Sequence, residues 1–361
     1  MTVRSQHQLH HLGRFGELVP IILLNLVYQM LTLGLYRFWA ITNIRRYLWA
    51  RTLFNDDPLE YTGTGKELFL GFLLAAVVVL VPVFALQYGL ALANAAGETA
   101  LAVVFGGLYG LLIVMLTPIA LYRARRYRLN RTVWRGMRWG QSGSAMIYAL
   151  LTLWYGFLTV VTLGLAYPWQ SIALERYRLG HTYFGNQPIG FDGTGRALFG
   201  RWLKAWAPTV GVILAFGLFA VTRYGQQLSV ASENDDAEAL GLIIGLGMLA
   251  LVPMMLVMAM VFCWYKAAEL RYIAGQARYQ ELRFTCTVTG GQLAWLVIGN
   301  MLVRIVTLGL GGSYTLVRTA RLMARTLSAE GAVDFDRVRQ NPDERTRTGE
   351  GLAAALSMGE F

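Results

Sequence analysis

Four stretches of this chain, 68–92, 101–122, 205–222 and 240–265, run apolar without one formal charge. A hydrocarbon core about 30 Å thick is crossed by about 20 such residues in a helix, so each stretch predicts a membrane span. Three more, 18–36, 145–168 and 293–310, are long enough to cross but run into one shared tripeptide: Thr32-Leu33-Gly34, Thr162-Leu163-Gly164 and Thr307-Leu308-Gly309. Glycine reaches left-handed backbone angles at little steric cost and is a natural helix stop. The pattern predicts an all-α, polytopic helical membrane protein with four spans and three Thr-Leu-Gly segments that either cross or re-enter.

The chain also matches itself. Residues 32–69 align with 162–199 without a gap, and 15 of the 38 positions are identical, including Pro58 with Pro188 and Gly63-Thr64-Gly65 with Gly193-Thr194-Gly195. This predicts an internal duplication. The units are 18–141, 142–291 and a partial third at 292–330, preceded by a cytoplasmic or flexible segment at 1–17 and followed by a disordered tail at 331–361. In the matching region and beyond it an aromatic residue is followed seven positions later by arginine: Trp39 to Arg46, Trp169 to Arg176, Trp264 to Arg271 and Tyr314 to Arg321. A diverged copy runs from Ile119 to Arg126. Seven residues are two helical turns, so both side chains share a face. Tyr47, Tyr177 and Tyr272 directly follow three of these arginines. At a membrane interface the indole is expected at headgroup level, with the guanidinium further out on lipid phosphates.

Charge placement bears on the topology. If only the four charge-free stretches cross, 30 of the 32 Lys and Arg residues fall on one side, Arg223 on the other, and Arg304 within an apolar stretch. This obeys the positive-inside rule, placing the elbows and both chain ends in the cytoplasm. Seven crossings would split the charges far more evenly, although Arg37, directly after an apolar run, favours that arrangement because a charge at a re-entrant tip lies deep.

Composition excludes more than it selects. Hydrophobic residues make up 55% of the 361 positions and charged ones 15%, and Lys+Arg exceed Asp+Glu to give +11; the mean hydropathy is +0.44. These values disfavour a soluble enzyme. Cys263 and Cys286 form no C-x-x-C pair. His7, His10 and His11 have a spacing that could ligate a metal on a helix, but no acid or thiol accompanies them, and a solvated segment is the better reading. Gly63-Thr64-Gly65-Lys66 lacks the hydroxyl residue of a phosphate loop. No hydrolase, metalloprotease or nucleotide motif is found, so no enzyme and no cofactor is expected. Residues 123–139, with seven arginines, three large aromatics and no acid, predict an amphipathic helix on anionic lipid and not a nucleic-acid site.

Lipid penalises intramembrane polar groups, which makes Asn25, Asn300 and Arg304 candidate path residues. Thr32, Thr162 and Thr307 join them, with Gly34, Gly164 and Gly309 at the bends; the alternative is that these groups bond neighbouring helices. Two functions follow: a transporter or channel for a small solute, or a non-transporting module that binds anionic lipid or scaffolds partners through its basic elbows. The run Thr32-Leu33-Gly34-Leu35-Tyr36 with Trp39, Arg46-Tyr47, Arg51-Thr52 and Tyr61-x-Gly63, repeated with substitutions at 162–193, resembles the YjgN-like family of bacterial inner-membrane proteins. It departs at Phe38, where the second copy has Pro168, and at Gly311-Gly312-Ser313 in the third unit. The resemblance implies a polytopic inner-membrane protein and supplies no catalytic residues.

Overall fold

The structure is a computed structural model that describes residues 6–233, 237–331 and Val338. Strand β1 (Gln6–His11) leads into helices α1 (Phe15–Leu31) and α2 (Arg37–Ala50), then strands β2 (Thr52–Phe54), β3 (Asp57–Pro58) and β4 (Glu60–Tyr61). Helices α3 (Gly65–Ala95) and α4 (Thr99–Asn130) follow, with β5 (Thr132–Trp134) and β6 (Met137–Gln141). Next come α5 (Ala145–Val161), α6 (Tyr167–Gly180), β7 (Thr182–Phe184), β8 (Gln187–Pro188) and β9 (Gly190–Phe191). Helices α7 (Gly195–Glu233) and α8 (Ala237–Gln276) precede β10 (Ala277–Tyr279) and β11 (Leu282–Cys286). The last elements are α9 (Gly290–Val306), α10 (Gly312–Thr326) and β12 (Leu327–Glu330).

The helical, polytopic character stands: α3, α4, α7 and α8 are long and apolar enough to cross a bilayer. The strands add something the hydrophobic pattern hid. They form two antiparallel sheets, ordered β3-β2-β1-β12-β11-β10-β9 and β4-β5-β6-β7-β8. Since β3 and β4 are consecutive pieces of one extended run, as are β8 and β9, the two sheets join end to end into a closed ring. Leu59 and Ile189 bridge the breaks, their amides donating to Thr52 O and Thr182 O at 2.9 Å. Side chains from both sheets meet inside: Trp134, Phe184, Ile189, Tyr279, Leu282, Ala329 and Val338 form one buried cluster.

Around the ring, connections alternate between a tight turn and a helical hairpin. The turns carry left-handed residues at Asn55-Asp56, Arg135-Gly136, Gly185 and Gln280, as two-residue hairpin loops require. In an antiparallel ring alternate connections lie at opposite rims, so all five helical hairpins leave from one rim. The pairs β1–β2, β6–β7 and β11–β12 bracket the three short hairpins. The Thr-Leu-Gly segments therefore turn back. Each threonine hydroxyl donates to the carbonyl four residues earlier at 2.6–2.7 Å and accepts the amide four residues later at 2.7–3.0 Å. The leucine and glycine sit near φ +50° and +90°, and each glycine amide reaches back five residues at 2.6–2.7 Å, closing the turn.

Two expectations are corrected here. Residues 6–11, read as part of a solvated N-terminal segment, are a strand that closes the ring against β12 and β2; no His/Cys/Asp/Glu cluster suited to a metal occurs among the described residues. The arginine-rich stretch 123–139 is not one amphipathic helix: α4 stops at Asn130 and the remainder forms β5 and β6. The cause is local. Thr132, Val133 and Trp134 favour extended backbone, and Gly136 at φ +73° permits the turn. The threonines that open β2, β5 and β7 each donate to a carbonyl of the preceding helix at 2.7–2.8 Å, tying strand to helix. The aromatic residues Tyr61 and Phe191 end the short strands β4 and β9. The expected disordered tail lies outside the described residues except Gly331 and Val338.

Candidate functional site

The elbow side chains assemble the rim from which the helices rise. Arg46 donates to Gly63 O at 3.0 Å, Arg126 to Gly143 O at 3.4 Å, Arg176 to Gly193 O at 2.6 Å, Arg271 to Val288 O at 2.6 Å and Arg321 to Gly13 O at 3.0 Å. Four of these contacts span 17 residues and the fifth spans 308, joining the last hairpin to the first. Each guanidinium thus caps a carbonyl at the start of the next hairpin. The following tyrosine ties back to its own hairpin: Tyr47 OH accepts from Arg14 N at 2.9 Å, Tyr177 OH from Ser144 N at 2.8 Å and Tyr272 OH from Thr194 N at 2.9 Å. Trp39, Trp169 and Trp264 lie against Gly65, Gly195 and Gly290, where a Cβ would come within 2.6–2.8 Å of them. Tyr314 takes the same place against Phe15, ring to ring at 4.9 Å. The elbows were expected to offer their guanidiniums to lipid phosphates; their ring-building contacts are with backbone carbonyls, because a helix start leaves a turn whose carbonyls need donors.

The polar residues of the short hairpins bond helix to helix. Asn25 is 3% exposed and accepts from Asn43 Nδ2 at 3.0 Å, and Asn300 accepts from Arg318 at 3.1 Å. Arg304 reaches Thr315 Oγ1 at 3.4 Å. At the second tip, Trp202 and Trp206 donate to Gly164 O and Leu163 O at 2.9 and 2.8 Å, while Gly34 and Gly309 have open space where a Cβ would sit.

Two cavities lie side by side within the assembly. One, about 370 Å³, occupies the ring and is walled by Phe54, Trp134, Phe184, Tyr279, Leu282 and Ala329. Burial pushes the Tyr279 hydroxyl up to about 12, and it donates to Phe184 O at 3.2 Å. The other, about 280 Å³, lies among the first and last short hairpins and α4, and brings Arg37, Arg45 and Arg128 together with Asn25, Ile41 and Leu316. Gly309 lines it too, so two of the candidate path residues, Asn25 and Gly309, meet here. Trp49 belongs to both walls; its indole donates to Thr132 Oγ1 at 2.9 Å. Neither cavity was legible beforehand, since their residues come from elements far apart in the chain.

A buried charge cluster was also missed. Glu269, 1% exposed, accepts from Ser171 Oγ and lies 2.7 Å from Lys266 Nζ. Sequence places both ions after a span that ends at 265, whereas α8 continues to Gln276 and packs them against α6. Lys266 also donates to Tyr167 OH at 3.3 Å.

The inner membrane protein YjgN of Salmonella typhimurium is 29% identical over 160 residues, covering 44% of this chain and 36% of that protein. No solved structure matches. The family described as bacterial protein of unknown function (DUF898) matches residues 6–355. With a match of that extent and four helices of membrane-spanning length and apolarity, this chain belongs to the DUF898 family, with a YjgN-like inner-membrane relative.

Proposed function

We propose that this protein is a multi-pass, non-transporting lipid-binding module of the inner membrane, with its strand ring and both chain ends in the cytoplasm. The observation that carries this reading is the isolation of the long helices. Only 0–11% of the residues in their apolar windows are buried within the chain. Transport paths are walled by helices that cover one another's polar faces, with sites near the bilayer middle. Here α3 with α4 and α7 with α8 form two pairs with few window residues buried, and neither of the two cavities lies between the members of a pair.

Depth supports the same reading. Nine positions separate Arg37, beside the first tip, from the rim arginine Arg46, and at 1.5 Å each that is about 14 Å, half a hydrocarbon core. Leu33 and Leu308, 95% and 92% exposed, stand at such tips and suit an acyl environment. The rim end of the cavity, bearing Arg45 and Arg128, then sits where a lipid headgroup can reach it, with Arg37 deeper. Guanidinium groups bind such anions strongly through charge-assisted, often bidentate, contacts.

The test is lipid retention. Purified protein from mixed phosphatidylglycerol and phosphatidylcholine nanodiscs is delipidated progressively and its bound lipid is weighed by native mass spectrometry. Enrichment of phosphatidylglycerol that falls in Arg45→Gln/Arg128→Gln is expected. Equal retention of both lipids, or protein-dependent solute flux in sealed proteoliposomes, would overturn the reading.

A further inference from the structure

The lumen of the strand ring is the feature that lipid binding at the rim leaves unused. A module that only held headgroups would need guanidiniums and lipid-facing helices. It would not need a cavity of about 370 Å³ inside the ring, walled by Phe54, Trp134, Phe184 and Leu282. Ligand pockets of this volume, apolar with a few placed polar groups, suit small hydrophobic molecules. The neighbouring cavity supplies the polar end. Arg45, 8% exposed, lies against Tyr61 OH at 3.3 Å, and Arg37 and Arg128 line the same space. Trp49 borders both cavities, its indole fixed by Thr132 and its ring 5.4 Å from Tyr61.

We propose that these two cavities form one site for a single-chain anionic amphiphile of the fatty-acid class. Its carboxylate lies among Arg37, Arg45 and Arg128, and its alkyl chain passes Trp49 into the ring. The arrangement matches the molecule end for end: cations meet the anion, and an aromatic lumen meets the chain. Apolar surface buried on binding contributes roughly 25 cal/mol per Å², and the fixed ring avoids the ordering cost of assembling a pocket around the chain. The proposal rests on the lipid-binding reading and names its ligand class.

The experiment uses the full chain in phosphatidylcholine nanodiscs and a long-chain fatty acid carrying a terminal diazirine. After photolysis, adducts are mapped by peptide mass spectrometry. Saturable labelling of peptides from β5, β10 and β12 is expected, competed by unlabelled palmitate and about tenfold or more less well by the uncharged fatty alcohol, since charge-assisted contacts are lost. Ala329→Trp, which fills the lumen, should abolish that labelling. Should that variant fail to fold, Arg45→Gln/Arg128→Gln serves instead and should remove the preference for acid over alcohol while the alcohol still labels the lumen. Adducts confined to lipid-facing residues of α1, α3 or α9, or lumen labelling unchanged by Ala329→Trp, would overturn the proposal. If lumen labelling fails while phosphatidylglycerol remains enriched on the protein, the lipid-binding reading survives and only this inference falls.

Discussion

Gly195 is the first residue of α7, and its Cα faces the backbone of Trp169 in α6. A Cβ added there would lie 2.8 Å from Trp169 Cα and 2.9 Å from Trp169 Cδ1. Ordinary carbon contacts begin near 3.5 Å, so the two helices must separate by about 0.7 Å. A rotamer change cannot relieve the clash, because one of the opposing atoms is backbone. Nor can the helices part freely: Arg176 spans the same junction to Gly193 O at 2.6 Å. Overpacking of this kind costs about 1–3 kcal/mol. Gly200, on the same helix, has open space around it, and alanine there gains up to about 1 kcal/mol of helix propensity. Thermal unfolding of both variants in one detergent, followed by loss of the monodisperse peak, should place Gly195→Ala well below wild type. Gly200→Ala should lie at or above wild type. Equal midpoints for the two would refute the claim that the tryptophan-on-glycine contact sets hairpin spacing.

Three further outcomes follow. Gly34→Ala forces a side chain to φ +89°, which should cost about 1–2 kcal/mol although no neighbour is touched; a denaturation midpoint equal to wild type would contradict the turn geometry. In a cysteine-free background of intact cells, an impermeant thiol reagent should label position 96, between α3 and α4, and leave position 190 untouched; labelling at 190 would place the ring outside. His11 is held below the ordinary histidine value by burial and then by Arg321. The folded chain therefore refuses a proton that the unfolded chain accepts as pH falls through about 6.5, so this stabilising contribution is full above that pH and fades below it. His11→Gln should flatten the decline in unfolding midpoint between mildly alkaline and mildly acidic buffer; an unchanged slope would assign it to other groups.

What the sequence could convey was set by range. The long helices were legible because twenty apolar residues in a row carry their own explanation, and the Thr-Leu-Gly bends because threonine, leucine and glycine satisfy one another within a few positions. The elbow arginines stood out by spacing, yet their partners did not, since the acceptor is a carbonyl 17 residues on. Strands such as Thr52–Phe54 are too short to show alternation and become strands only through pairing. The cavities were invisible for the same reason: Arg37, Arg128 and Leu316 share a wall through the ring and not through sequence.

Closure of that ring by β1 against β12 has a consequence for biogenesis. Strand β1 is made long before its partner β12, so one of its edges stays unsatisfied while every intervening hairpin is made. An unpaired edge invites pairing with the wrong chain, and the cell must therefore shelter Gln6–His11 until Leu327–Glu330 arrives. Arrest of translation before β12 should leave an inserted protein whose strand half remains sticky and protease-sensitive.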